Sequence, residues 1–127
     1  MRECFIYEFD HYSRQESERV RESGGSIASS ANDLIAIFLI HQVQIDGEDF
    51  IVAGAFAEGC VAQLIDYLLL LEASSVTVDV SRCRSVYEVI DGNVSLTIAK
   101  RTELIKASLK PESRQLEGTR LLFVSPG

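Results

Sequence analysis

Three thiols, two imidazoles and nineteen acidic side chains are the groups in this chain with chemistry to offer. A metal needs ligands that converge at short spacing, yet His11 and His41 stand thirty positions apart and no Cys-x-x-Cys or His-x-x-x-His occurs. No metal and no cofactor is therefore expected. Asp46, Glu48 and Asp49 cluster around Gly47, but without the spacing of a calcium loop they read as a solvated turn. A nucleophilic thiol needs an electropositive setting, and by local charge Cys83, between Arg82 and Arg84, is the best placed of the three. Its base would be His41 or His11. Cys4 and Cys60 lie in apolar patterns and read as small core residues. Glu58, Asp66, Asp79 and Glu88 are candidates for an acid and base pair, as carboxylates in any chain of this composition would be. Gly-x-Ser-x-Gly, Gly-x-Gly-x-x-Gly and Gly-x-x-x-x-Gly-Lys-Ser/Thr are all absent, so the sequence points away from an enzyme.

The distribution of charge points to binding instead. The net charge is −7, made of −3 over residues 1–33, −7 over 34–81 and +3 over 82–127. Between Arg21 and Arg82 there is no lysine or arginine, so Asp46, Glu48, Asp49, Glu58, Asp66, Glu72 and Asp79 find no cation nearby in sequence. A basic protein partner satisfies them, since complementary potentials raise on-rate and specificity. A phosphate backbone or an anionic lipid surface would be repelled. Neither nucleic acid nor a membrane is expected as a partner.

At 127 residues, 46% hydrophobic and 24% charged, the chain fits one domain, 1–127, with a single core. Residues 3–9 read as an opening strand. Ser13 and Glu16 fit a capping box ahead of a helix over 14–23, which pairs such as Arg14 with Glu18 and Glu16 with Arg19 would support. Gly24 and Gly25 end it, and 26–33 reads as a loop or flap. The apolar run 34–40 reads as a central strand, with the end of a helix starting near Ser30 as the alternative. It pairs, on this reading, with a strand reaching Phe56 across an Asp46-Gly47 turn.

Residues 58–73 form the clearest helix, apolar almost all round in its second half, so that Leu69 and Leu70 are either covered or form a contact surface. Residues 76–81 alternate as a strand. Asp91-Gly92-Asn93 suggests a second hairpin joining 86–90 to 94–98. Thr102 caps a short helix that Pro111 stops, and 121–124 is the last strand. The expected fold is α+β, a mainly antiparallel sheet carrying one long apolar helix and one or two shorter ones.

Residues 76–81, Val-Thr-Val-Asp-Val-Ser, resemble the strand that precedes the regulatory loop of STAS domains. The Asp-Ser-Ser-Gly of that family is replaced by Arg82-Cys83-Arg84-Ser85, which sets the family aside. In size, acidity, pattern and lack of catalytic motif the whole chain is similar to small bacterial immunity proteins, and also to type III secretion chaperones and phage-encoded inhibitors. The first resemblance implies a bacterial protein that neutralises a basic toxin, a nuclease for example. Asp46, Glu48, Asp49, Glu58, Asp66 and Asp79 would mimic the charge of the toxin's substrate, with Tyr67 and Leu70 as apolar anchors. The chaperone resemblance implies instead a homodimer through helix 58–73 that wraps an effector. Acids where a secretion signal would have a basic and then an apolar run, together with three unpatterned cysteines, suggest the cytoplasm.

Overall fold

The computed structural model describes residues 1–7 and 11–125, the first three of the latter by their backbone only. Five strands, β1 (Arg2–Ile6), β2 (Ser26–Ala28), β3 (Asp49–Ala55), β4 (Ser75–Arg84) and β5 (Leu121–Val124), form one sheet in the order β2-β1-β3-β4-β5. Every pairing is parallel. The helices are α1 (His11–Glu22), α2 (Ala31–Ile40), α3 (Ala62–Leu70), α4 (Val86–Ile90), α5 (Ile98–Ser108) and α6 (Pro111–Gln115), and a π-turn (Ala57–Val61) runs directly into α3. This is an α/β fold, and the expected antiparallel sheet with one long apolar helix is overturned.

The physical reasons lie in three segments. Residues 34–40 are helix, not strand. Ser30 caps them, its side chain accepting from the Asp33 N–H at 3.1 Å, and Ala31, Leu34 and Phe38 bury one helical stripe. With that run helical, Asp46-Gly47 has no partner strand to return from and simply turns the chain into β3. Residues 86–90 are also helix, because Ser85 and Glu88 make a capping box: the Ser85 hydroxyl accepts from the Tyr87 N–H at 3.2 Å and Glu88 accepts from the Ser85 N–H at 3.0 Å. No second hairpin forms, and Thr97 rather than Thr102 caps the helix that follows. Residues 26–28 of the expected loop add β2 beside β1. Pro111 opens α6 rather than only closing α5.

The strands over 76–81 and 121–124 and the helix over 58–73 stand where the sequence placed them, the last as the π-turn and α3, which closes at Leu70. α1 begins at His11, so Ser13 lies inside the helix and not at its cap, and residues 8–9 of the first strand lie outside the described residues. The Glu16 to Arg19 pair is present at 2.9 Å.

The chain steps one way across the sheet from β1 to β2 and the other way from β2 through β3 and β4 to β5. Right-handed crossovers then put α1 on one face and α2, α3 and α5 on the other. Cys4, Ile6, Phe50, Val52, Val76, Val78 and Leu121 meet Leu34, Phe38, Leu64, Ile65, Leu68 and Ile105 in one core. The rings of Phe38 and Phe50 sit 6.2 Å apart. No described helix is long and apolar enough to cross a membrane.

β1 and β3 approach most closely at Gly54, whose φ is +120°, and a Cβ there would run into the backbone of Ile6. At the same glycine the pairing of β3 with β4 slips: Val52 faces Val78 but Gly54 faces Cys83, so 79–82 bulge against Ala53 alone. Gly54→Ala is therefore expected to cost more than about 3 kcal/mol in urea unfolding, since the two strands must separate to admit the methyl. Gly92→Ala, with open space around its Cβ position, is expected to stay within about 0.5 kcal/mol of the parent. Equal effects at the two positions would refute the close approach.

Candidate functional site

Much of the organised polar chemistry lies along the second half of β4, from Asp79 onward, and in the residues that face it. The bulge in β4 delivers Arg82 to the α1 face, where its Nη1 meets Glu3 at 2.8 Å and Asp79 at 3.6 Å, and its Nε meets Glu16 of α1 at 3.3 Å. Its guanidinium also lies 5.6 Å from the centroid of the Phe5 ring. Asp79, buried, accepts a further bond from the Ser81 hydroxyl at 2.7 Å. Arg82 thus ties α1 to the sheet, which matters for a helix with so little apolar surface of its own. Its Nη2 is buried and has no hydrogen-bond partner among the described residues.

A second group surrounds the buried Glu88. One oxygen accepts from the Ser85 N–H at 3.0 Å and from Arg101 Nε at 3.0 Å, the other from the Leu96 N–H at 3.1 Å and from Arg101 Nη2 at 2.8 Å. Burial pushes the Glu88 carboxyl up, but the Arg101 fork and the two backbone N–H groups outweigh it and hold the carboxyl below its ordinary value. Glu58 sits beside this group. It accepts from the Ser85 hydroxyl at 2.5 Å and from the Val86 N–H at 2.7 Å, joining the π-turn to α4. Ser81, Arg84, Glu88, Val94, Ser95 and Arg101 are among the residues that line an open cleft of about 390 Å³ here.

The thiols sort differently from the sequence expectation. Cys83 is fully buried, donates to the Asp79 carbonyl at 3.4 Å, and is pushed by burial to a pKa of about 12. Arg82 and Arg84 flank it in sequence without making it a thiolate. Cys4, likewise buried, is raised to about 12 for the same reason. Cys60 alone of the three is not buried. It stands in the π-turn between the end of β3 and the start of α3, after an Ala55–Phe56 peptide that is cis.

The eight residues singled out as a partner surface separate into two groups. Glu58, Asp66 and Asp79 bond within the fold, Asp66 accepting from the Lys110 N–H at 3.1 Å and the Ser113 hydroxyl at 2.6 Å. Asp46, Glu48 and Asp49 are exposed at the opposite, amino edge of the sheet, with Leu70 exposed and Tyr67 half-buried at the last turns of α3. Asp49 also accepts from the Ser75 hydroxyl at 2.6 Å. His41 is exposed at the end of α2, and the His11 side chain lies outside the described residues. Among the described residues no three His, Cys, Asp or Glu side chains gather to hold a metal ion. Sequence reasoning missed the Glu88 and Arg101 pair, although Ser85-x-x-Glu88 is a legible capping signal. It also missed Gly54 and the exposure of Cys60, for which the sequence carries no local sign.

Folding lowers the Glu88 carboxyl, so this group adds stability above the unfolded carboxylate value of about 4.3 and loses it as pH falls through the folded value. Glu88→Gln is accordingly expected to cost about 3 kcal/mol at neutral pH by removing the carboxylate that the largely buried Arg101 guanidinium faces. The gap to the parent should close in acid, measured by urea unfolding across pH. A gap independent of pH would show that the charge pair is not its source. Neither a protein-family model, nor a curated protein, nor a solved structure matches this chain.

Proposed function

We propose that the chain acts on a small carbonyl compound at the carboxyl edge of its sheet, over β1 and β3, with Cys60 as the nucleophile. In open α/β sheets ligands bind outside the carboxyl ends of the strands, at the point where successive connections leave toward opposite faces. In this sheet α1 leaves β1 for one face and α3 leaves β3 for the other, so the parting falls between these two adjacent strands. The observation that carries the reading is the position of Cys60, the unburied thiol, in the turn that leads from β3 into α3 at that point.

The chemistry follows from the location. The nucleophile is the thiolate, formed when the Cys60 proton passes to water, and its addition to a carbonyl carbon breaks the carbonyl π bond and leaves an oxyanion, which takes a proton from water to give a hemithioacetal from an aldehyde, or collapses to a thioester with release of the alcohol or amine from an ester or amide. The positive end of the helix dipole favours such a charge, while the N–H groups of Gly59, Val61 and Ala62 are already bonded to the carbonyls of Phe56 and Gly59. The fold supplies a rigid frame for that geometry: Gly54 holds β3 against β1, and Glu58, two residues before Cys60, anchors the turn to Ser85 and Val86. Glu58 is thereby a positioning residue, with both carboxylate oxygens already engaged.

The test is modification and turnover of the folded chain. Iodoacetamide at neutral pH is expected to modify Cys60 and spare Cys4 and Cys83, read by mass spectrometry of the digested protein. A panel of small esters, amides and aldehydes is expected to yield a Cys60 adduct or a turnover that Cys60→Ser abolishes without changing the melting temperature. Labelling of Cys60 no faster in the folded than in the unfolded chain, or turnover that survives Cys60→Ser, would sink the proposal.

A further inference from the structure

The amino edge of the sheet, far from Cys60, has a different character. Leu39 and Ile40 in the last turn of α2 are 67% and 76% exposed, and Leu70 in the last turn of α3 is 72% exposed, with Leu71 beside it. Such aliphatic groups on neighbouring helix ends form an apolar patch of the kind that marks an interaction site. Between the two helix ends lies a depression of about 270 Å³ whose apolar walls include Phe38, Leu39, Val43, Tyr67 and Leu71.

Asp46 is the acid in this depression, and the backbone of the turn that carries it is fixed to the end of α3. The Gly47 N–H donates to the Glu72 carbonyl at 3.1 Å and the Ser74 N–H to the Glu48 carbonyl at 2.8 Å, strapping the turn that carries Asp46 and Glu48 to the end of α3. Asp46 lines the depression itself. The carboxyl ends of α2 and α3 add the negative ends of two helix dipoles, and neither helix has a basic residue in its last turn. Among the described residues no cation lines the depression, while Lys110 and Arg120 line a separate cavity with Leu70 and Glu72, Arg120 Nε donating to the Ala73 carbonyl at 2.8 Å. A second copy docked symmetrically would bring this acidic turn against itself.

We infer that this face is a docking site for a basic amphipathic helix of another protein, an apolar side chain entering the depression while lysines or arginines meet Asp46, Glu48 and Glu72. This is the helix-in-groove mode of recognition, with apolar anchors setting the lifetime of the complex and the charges setting its on-rate and its salt dependence.

The probe is a synthetic amphipathic helix of leucine and lysine about four turns long, titrated into the full chain while amide chemical shifts are followed. Shifts are expected over 38–48 and 67–73. Affinity should fall roughly tenfold with Leu39→Ser plus Leu71→Ser, fall similarly with Asp46→Lys plus Glu72→Lys, and weaken with salt. Glu103→Lys, an exposed acid on α5, should leave it unchanged. Shifts centred elsewhere, an equal loss with Glu103→Lys, or equal binding of the leucine and glutamate counterpart would overturn the inference. So would sedimentation of the free chain as a dimer that Leu39→Ser plus Leu71→Ser separates, because a second copy would then own the face. The mapping uses the unaltered chain, so the answer stands even if a variant folds poorly.

Discussion

The approach of β3 to β1 at Gly54 is the constraint on which the other features depend. Parallel strands need both backbones within hydrogen-bonding reach along their length, and at this point only a residue without a side chain fits beside Ile6. The same residue marks the slip in pairing with β4, from Val52 opposite Val78 to Gly54 opposite Cys83. The bulge that results re-aims Asp79 and Arg82, and Arg82 then reaches Glu3 on β1 and Glu16 on α1. One missing side chain thus sets the spacing of two strands, the docking of a polar helix, and the position of the turn that carries Cys60.

The long cation-free interval resolves in three physical ways. Asp79 finds Arg82, a residue just beyond the interval, because the bulge folds the strand back on itself. Glu58 and Asp66 are satisfied by neutral donors, each accepting one hydroxyl and one backbone N–H, so their charge is spread without an ion pair. Asp46, Glu48 and Glu72 remain in solvent at the amino edge. Net charge alone did not distinguish these outcomes, because what a carboxylate needs is a geometry of donors. Backbone N–H groups and serine hydroxyls meet that need without appearing in a count of lysine and arginine.

Short-range order was readable where periodicity and caps agreed. Residues 76–81 alternate and are strand, and the leucine-rich 58–70 is helical, the helix closing three residues before the expected end. The failures share a cause: Asp46-Gly47 and Asp91-Gly92-Asn93 carry the chemistry of tight turns, and tight turns serve parallel and antiparallel sheets alike. Nothing local says whether the chain returns beside its neighbour or crosses over a face. The run 34–40 is aliphatic enough for either state, and the Ser30 cap together with the spacing of Leu34 and Phe38 decided it. The site was less legible than the fold. Flanking arginines drew attention to Cys83, while burial, a property of the assembled sheet, pushes its thiol up and leaves Cys60, half-buried against the core, as the least covered of the three.

Parallel strands also explain why the molecule has two unlike edges. When every strand points the same way, each crossover helix begins near the carboxyl edge and ends near the amino edge. Helix N-termini therefore gather at the edge where Cys60 stands, and helix C-termini gather at the edge that carries Asp46, Glu48 and Glu72. A chain wishing to neutralise the second edge would place lysine or arginine in the last turns of α2 and α3, and this one places Leu39, Ile40 and Leu70 there instead. Past the end of α3 the Arg120 guanidinium, its Nε donating to the Ala73 carbonyl at 2.8 Å, offsets part of that field, and at the end of α2, beside Asp46, the edge stays both apolar and negative. That combination costs solubility unless something covers it, and the chemistry that covers it most favourably is apolar at its centre and basic at its margin.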